Sequence, residues 1–286
     1  MSAPPSAVAS VAAARLRWLP RPTPKNLITA LITLILVVGE WRYGVVGGYT
    51  KLALTLGTCV GTELVLSLLL LGRMPQLQSA YVTGISLTVL LRPQAGLVWP
   101  FVVAAALAIG AKYVLRARGR HLWNPSNFGL SVLLLLAPAK VALLSHELGN
   151  DVLGNSVIWF VGLLIVWQAR MAHITLAYAA SFSLLAVLRS FVVGTPVLAE
   201  LAPLTGPMYQ LLVFFMLTDP RTTAAGRRGQ IATVVVIALL EAAMRLANDF
   251  ELPGAAVFAP APPILALFIV GPIALALDLR RRACAQ

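Results

Sequence analysis

Charge is what this chain lacks. Asp, Glu, Lys and Arg make up 11% of its 286 residues, against about 25% in an ordinary soluble domain. Acids are the scarcer sign, 10 against 22 basic residues. With 59% hydrophobic residues and a mean hydropathy of +0.87, this deficit excludes a soluble globular protein. Cysteine is nearly missing too. Cys59 lies in an apolar run and Cys284 close to the C-terminus, so no disulfide framework is expected. There are three histidines and no Cys/His group at ligand spacing, which argues against a metal centre. G-x-S-x-G, the Walker loop and a strand-borne G-x-G-x-x-G are likewise absent, and with them the common soluble enzyme classes. Residues 1–21 hold no apolar signal core and read as a cytoplasmic tail.

What the chain has is apolar length. Ten segments stand out: 25–39, 52–71, 81–91, 97–115, 128–144, 152–167, 172–193, 206–217, 231–246 and 255–277. A full membrane crossing needs ~20 residues and rarely fewer than ~17. The third and eighth segments fall well short and reach only about half-way across at ~1.5 Å per residue. The net charge of +12 does not build a nucleic-acid face, because the basic residues sit in short loops. With the N-terminus cytoplasmic, 16 of the 22 basic residues fall inside. Six (Arg42, Lys51, Arg92, Lys140, Arg189 and Arg245) fall outside. That asymmetry places both termini inside and supports the count of ten. It makes the chain a multi-pass protein of a bacterial inner membrane whose first partner is the lipid bilayer.

The short segments sit third and eighth of ten, at equivalent places in two groups of five. One ends in Leu91-Arg92-Pro93, the other in Thr218-Asp219-Pro220. The fifth segment opens at Asn124-Pro125 and closes at Ala137-Pro138. The tenth opens around Pro260 to Pro263 and closes at Gly271-Pro272. An odd number of spans per repeat inverts the second half, and short or Pro-broken segments in matching places point to a site at the repeat interface. The expected organisation is a tail over 1–24, one membrane domain over 25–278 with repeats at about 25–145 and 152–278, and a tail over 279–286.

The polar residues at these breaks are the candidates for chemistry. Asp219 and Pro220 end a helix where neither suits lipid, so protein or a water-filled cavity must shelter them. Thr218, Thr222 and Thr223 surround them and either line a site or cap the turn. Asn124 precedes Pro125 and is pushed to an extended conformation. Its amide either caps the fifth helix or, with His121 and the flat face of Trp123, binds a planar heterocycle with imide edges. Trp123 also suits an interfacial anchor. Two acids lie inside spans and are candidates for an ion path. Glu241 has Arg245 one turn away as a partner. Glu63 has none nearby and either makes an interhelical hydrogen bond or lines a proton or ion path. Lys112, near the end of the fourth span, either snorkels or meets an anionic ligand.

Several of these motifs resemble one family. Thr83-Gly84, Trp99, Gly110-Ala111-Lys112, Trp123-Asn124-Pro125 and Phe128-Gly129 look like the first half of RnfD/NqrB proteins. These are the flavin-carrying membrane subunits of the Rnf complex and the sodium-pumping NADH:quinone reductase. Phe214-Phe215-Met216-Leu217-Thr218-Asp219-Pro220-Arg221-Thr222-Thr223 is similar to the second-half signature. The resemblance runs over about residues 25–272. It implies an all-α, urea-channel-like fold of ten helices in inverted repeats. It also implies riboflavin or FMN held non-covalently near an Asn-x-x-Asn-Pro stretch, in which Asn124 matches the second Asn and His121 replaces the first; with Trp123, Asp219, Thr218, Thr222, Thr223 and Gly84 these are the residues expected to hold it. The family's second flavin is FMN on a Thr after the fifth span; residues 146–156 here contain no Thr, which argues against covalent FMN. Small members of this kind resemble proteins encoded near enediyne biosynthesis clusters. Expected partners are other redox-complex subunits or a second copy of the chain. A channel or transporter for a small solute or ion, with Glu63 in its path, is the alternative expectation.

Overall fold

The computed structural model describes residues 24–44, 46–143 and 152–284. It is 75% helical. The helices are α1 (Pro24–Tyr43), α2 (Tyr49–Leu71), α3 (Gln78–Leu90), α4 (Trp99–Val114), α5 (Pro125–Leu136), α6 (Val152–Gln168), α7 (Ala172–Val193), α8 (Val197–Leu201), α9 (Pro207–Leu211), α10 (Arg227–Asp249) and α11 (Pro262–Cys284). Four of them, α2, α7, α10 and α11, are long and apolar enough to cross a membrane. A fifth crossing is available if the broken pair before residue 217, bent by 58°, is one span. Their outward faces carry bare apolar side chains such as Leu69 and Phe191, 76% and 77% exposed, which suits lipid and not water.

The two short segments are the core. In α3 every residue from Thr83 to Leu90 is buried. The stretch from Met208 to Leu217, which passes from α9 through a π-turn at Leu212–Met216, is buried throughout. Length explains this: a helix too short to reach both faces gains its stability by being wrapped. Around them α2 packs on α4 and α4 on α5, while α7 packs on α10 and α10 on α11. Contacts of α1 with α6 and of α5 with α11 join the two groups.

Beyond α3 the chain becomes strand β1 (Leu91–Pro93), antiparallel to β4 (Val141–Leu143) with Leu91 opposite Leu143. Gln94 N–H extends the ladder to the Lys140 carbonyl at 2.9 Å. Strands β2 (Arg116–Ala117) and β3 (Arg120–His121) form a tight hairpin between α4 and α5. Its two central residues, Arg118 (φ 49°) and Gly119 (φ 78°), are both left-handed, as a two-residue turn matched to strand twist requires.

The proline boundaries expected for the fifth helix and for the start of the tenth hold: the fifth runs Pro125–Leu136 and leaves the helix at Ala137 ahead of Pro138, and the tenth starts at Pro262 after a 3₁₀ turn at Ala255–Val257. The apolar runs 128–144 and 255–277 overstate both helices, since Val141–Leu143 pair as β4 and Ala255–Val257 form the 3₁₀ turn. The tenth helix does not close at Gly271-Pro272, since Pro272 lies inside a helix that runs to Cys284 and takes in most of the expected C-terminal tail. A proline removes the donor to the carbonyl four residues back, here Phe268. That carbonyl accepts the Trp123 indole N–H at 2.9 Å. Residues 1–23, the expected N-terminal tail, lie outside the described residues.

The tightest approach is between α4 and α5, where a Cβ on Gly129 would stand 2.5 Å from the Ala104 carbonyl oxygen. Gly129→Ala must therefore separate the helices, and a loss of about 1–3 kcal/mol is expected. Thermal unfolding in detergent measures it; an unchanged midpoint would show the two helices free to part.

Candidate functional site

Two breaks in the helical pattern meet on the arginine-rich side. The first is the end of the π-turn. Leu217 N–H bonds the Leu212 carbonyl at 2.9 Å and the Thr218 hydroxyl bonds the Phe214 carbonyl at 2.6 Å. Pro220 then stops the helix. The Asp219 carbonyl accepts the N–H groups of Thr222 and Thr223, both at 3.2 Å, and Asp219 Oδ1 accepts Arg221 N–H at 3.0 Å. Thr222 and Thr223 thus shape the turn.

The second break is the entrance to α5. Asn124 is extended (ψ 128°), as its place before proline demands, and its Oδ1 caps the helix by accepting Asn127 N–H at 3.2 Å. Its Nδ2 is left over and donates to Asp219 Oδ2 at 3.4 Å. His121 Nε2 lies 3.9 Å from the same oxygen. Burial is the main force lowering the His121 pKa from its ordinary 6.5; Asp219 opposes this, while Arg221, Lys112 and Arg116 reinforce it. The neutral imidazole is thereby favoured.

Arg120 fastens one break to the other. Standing next to His121 on β3, its guanidinium donates to the carbonyls of Pro220 (2.9 Å), Arg221 (3.0 Å) and Thr223 (2.5 Å). The sequence expectations gave Arg120 no role. The one hint of it is Gly119, the residue type a tight turn favours; Arg118 at the other turn position gives no such signal.

These groups wall a cavity of about 690 Å³, within the ~300–1,000 Å³ of typical small-molecule sites. Of the expected residues, Asn124, His121, Thr218, Asp219 and Glu63 line it. Apolar surface comes from Ile165, Val166 and the Phe214–Met216 turn. Trp123, Gly84, Thr222 and Thr223 do not line it. Trp123 instead packs edge-on against Phe128 at 5.6 Å and beside Phe268 at 5.9 Å, where its N–H repairs the α11 ladder. Gly84 is a packing residue, since a Cβ there would stand 2.6 Å from the Leu56 side chain.

Glu63 has a partner that its sequence neighbours do not reveal. Lys112, from α4, lies 2.5 Å from Glu63 Oε1, and the Tyr113 hydroxyl donates to the same oxygen at 3.0 Å. Lys112 is buried and turned inward, so it does not snorkel. Glu241 is in a separate cluster away from the cavity. It accepts the hydroxyls of Tyr178 (2.6 Å) and Tyr209 and pairs with Arg245 at 3.1 Å, the helical neighbour expected. One turn further along, Arg189 on α7 grips Asp249 at 2.6 Å and also Glu200. The described residues hold no group of His, Cys, Asp and Glu suited to a metal ion.

Fold and site together define a mainly helical chain with helices able to span a membrane and a cavity, lined by polar and apolar side chains, at the meeting of two broken segments. No protein-family model matches the chain, and no curated protein matches it.

This geometry has two measurable consequences. Lys112→Met leaves a buried carboxylate unpaired and should cost ~3–5 kcal/mol, while adding Glu63→Leu should restore most of that loss. Denaturation of the single and double variants in detergent tests it; equal losses in both would show the pair to be unimportant. For His121, the unfolded chain binds a proton near pH 6.5 and the folded site resists it. Stability therefore falls as pH drops through that value and is retained above it. Melting curves from pH 7.5 to 5.5 should show this fall in the wild type and a flatter profile in His121→Gln.

Proposed function

We propose that the chain is a membrane subunit of a flavin-dependent electron-transport system that binds riboflavin or FMN non-covalently in the 690 Å³ cavity. One observation carries this reading. Asn124 and Asp219, 95 residues apart and each in one of the two motifs that resemble RnfD/NqrB proteins, meet at 3.4 Å on the wall of a single cavity. The donor set fits such a group. An amide, a carboxylate, a neutral imidazole and the Thr218 hydroxyl offer donors and acceptors to an imide edge. The Phe214–Met216 turn and Ile165 offer apolar faces to a flat ring. A bound isoalloxazine supplies electron-carrying chemistry that side chains lack. The protein's part is to orient the ring, limit its contact with water and hold Asp219 in place through Arg120.

In this reading the ten apolar segments are two inverted five-helix repeats in a bacterial inner membrane, with both termini cytoplasmic. The pairing of helices supports it: α2 with α4 and α4 with α5 parallels α7 with α10 and α10 with α11. Each half also holds an ion pair between equivalent helices, Glu63 with Lys112 and Arg189 with Asp249. Covalent FMN is not part of the proposal. The segment at issue lies mostly outside the described residues and contains no Thr.

The absorption spectrum of the protein purified in detergent is the test. Flavin bands should be present or appear on adding riboflavin or FMN, and Asp219→Ala should weaken binding about tenfold or more, the loss of ~1.4 kcal/mol. A colourless preparation that takes up neither flavin overturns the reading.

A further inference from the structure

We propose that the mouth of the cavity is a phosphate seat, in which Arg73, Arg116 and Arg221 receive the phosphate monoester of a ligand whose ring lies deeper. This rests on the flavin reading above and narrows it to the phosphorylated form.

Charge around the cavity is unbalanced. Its lining holds Arg73, Lys112, Arg116 and Arg221 against two carboxylates, Glu63 and Asp219, an excess of two positive charges. His121 adds nothing while neutral. Glu63 is spoken for, since Lys112 holds it at 2.5 Å in the buried floor. Asp219 faces Asn124, His121 and the Arg221 backbone N–H, and pairs with no guanidinium. Among the described residues Arg73 and Arg221 enter no ion pair, and Arg116 donates only to the Gly119 carbonyl, at 3.0 Å. Three exposed guanidiniums are thus left without an anion at one concave opening.

Membrane topology explains why arginines lie on this side. It does not explain why three of them, from three separate connections, line the same cavity. Arg73 follows α2, Arg116 begins the β2–β3 hairpin and Arg221 follows the broken segment. A concave, low-dielectric site focuses the potential of such a set. A phosphate monoester carries about −1.5 to −2 charges and three acceptor oxygens, which matches the excess of two. Guanidinium is the group suited to bind it in pairs of hydrogen bonds. The floor is unsuited to the anion, because its one cation is already matched by Glu63.

A soluble phosphate monoester and an anionic lipid headgroup share this chemistry; the cavity of about 690 Å³ that the arginines line, large enough for a ring, favours the soluble ligand. The whole protein in phosphatidylcholine nanodiscs is titrated with FMN and with riboflavin, following quenching of flavin fluorescence. FMN should bind roughly tenfold tighter or more. Added salt should shrink that preference. Inorganic phosphate should compete with FMN, and Arg73→Ala/Arg221→Ala should bring the FMN-to-riboflavin ratio toward one. Equal affinities in the wild type overturn the phosphate seat and leave the flavin reading standing. Failure of both flavins to bind overturns the two together. A preference that vanishes when the discs contain phosphatidylglycerol assigns the arginines to a lipid headgroup and overturns the soluble ligand.

Discussion

A helix that ends inside a membrane protein leaves backbone carbonyls and N–H groups with no water to satisfy them, and each one unmet costs several kcal/mol. This chain ends helices inside twice, and much of its architecture answers that demand. After α3 the answer is a strand: Leu91 to Pro93 pair with Val141 to Leu143. After the π-turn, Arg120 donates to three loop carbonyls, those of Pro220, Arg221 and Thr223, and so fixes the turn that follows the helix end. Within α11 the carbonyl freed by Pro272 takes the indole N–H of Trp123. The Arg120 and Trp123 links run between the two groups of helices, while the β1–β4 pair closes the first group on itself.

The cavity follows from this arrangement. It lies between the end of the π-turn segment and the entrance to α5, and Thr218, Asp219 and Asn124 at those two breaks line it. Asn124 shows how one residue serves both purposes. Its oxygen caps α5 and its nitrogen is free to meet Asp219. Asp219 in turn organises the Thr222 and Thr223 turn with its backbone while its carboxylate faces the cavity wall. A site built from structural caps comes ready positioned, because the groups that would touch a ligand are held by the fold.

Among the described residues the buried charges come in pairs. Glu63 meets Lys112; Glu241 meets Arg245 and two tyrosines; Arg189 meets Asp249 and Glu200. Those pairs lock α2 to α4 and α7 to α10. Arg73, Arg116 and Arg221, which line the cavity, are exposed and form no ion pair among the described residues.

Much of this is legible in the order of residues. Lack of charge, ten apolar runs, two short ones at matching places, and Pro next to Asn124 and Asp219 follow from hydropathy and from proline's missing N–H. These are local properties that a sequence carries in full. The Glu241–Arg245 pair is legible for the same reason, its members being one helical turn apart. Glu63 and Lys112 are not, because 49 residues separate them and only the packing of α2 on α4 brings them to 2.5 Å. Trp123 reads along the chain as a ring to stack on a ligand, yet its N–H is taken by the carbonyl that the distant Pro272 leaves open. The sequence by itself determined which segments are apolar, where helices must break and which polar residues mark the breaks. Only the tertiary structure decided which groups satisfy those breaks and which stay free to face the cavity. A partner for a carbonyl or a buried charge is chosen by distance in space, and the order of residues along the chain does not contain it.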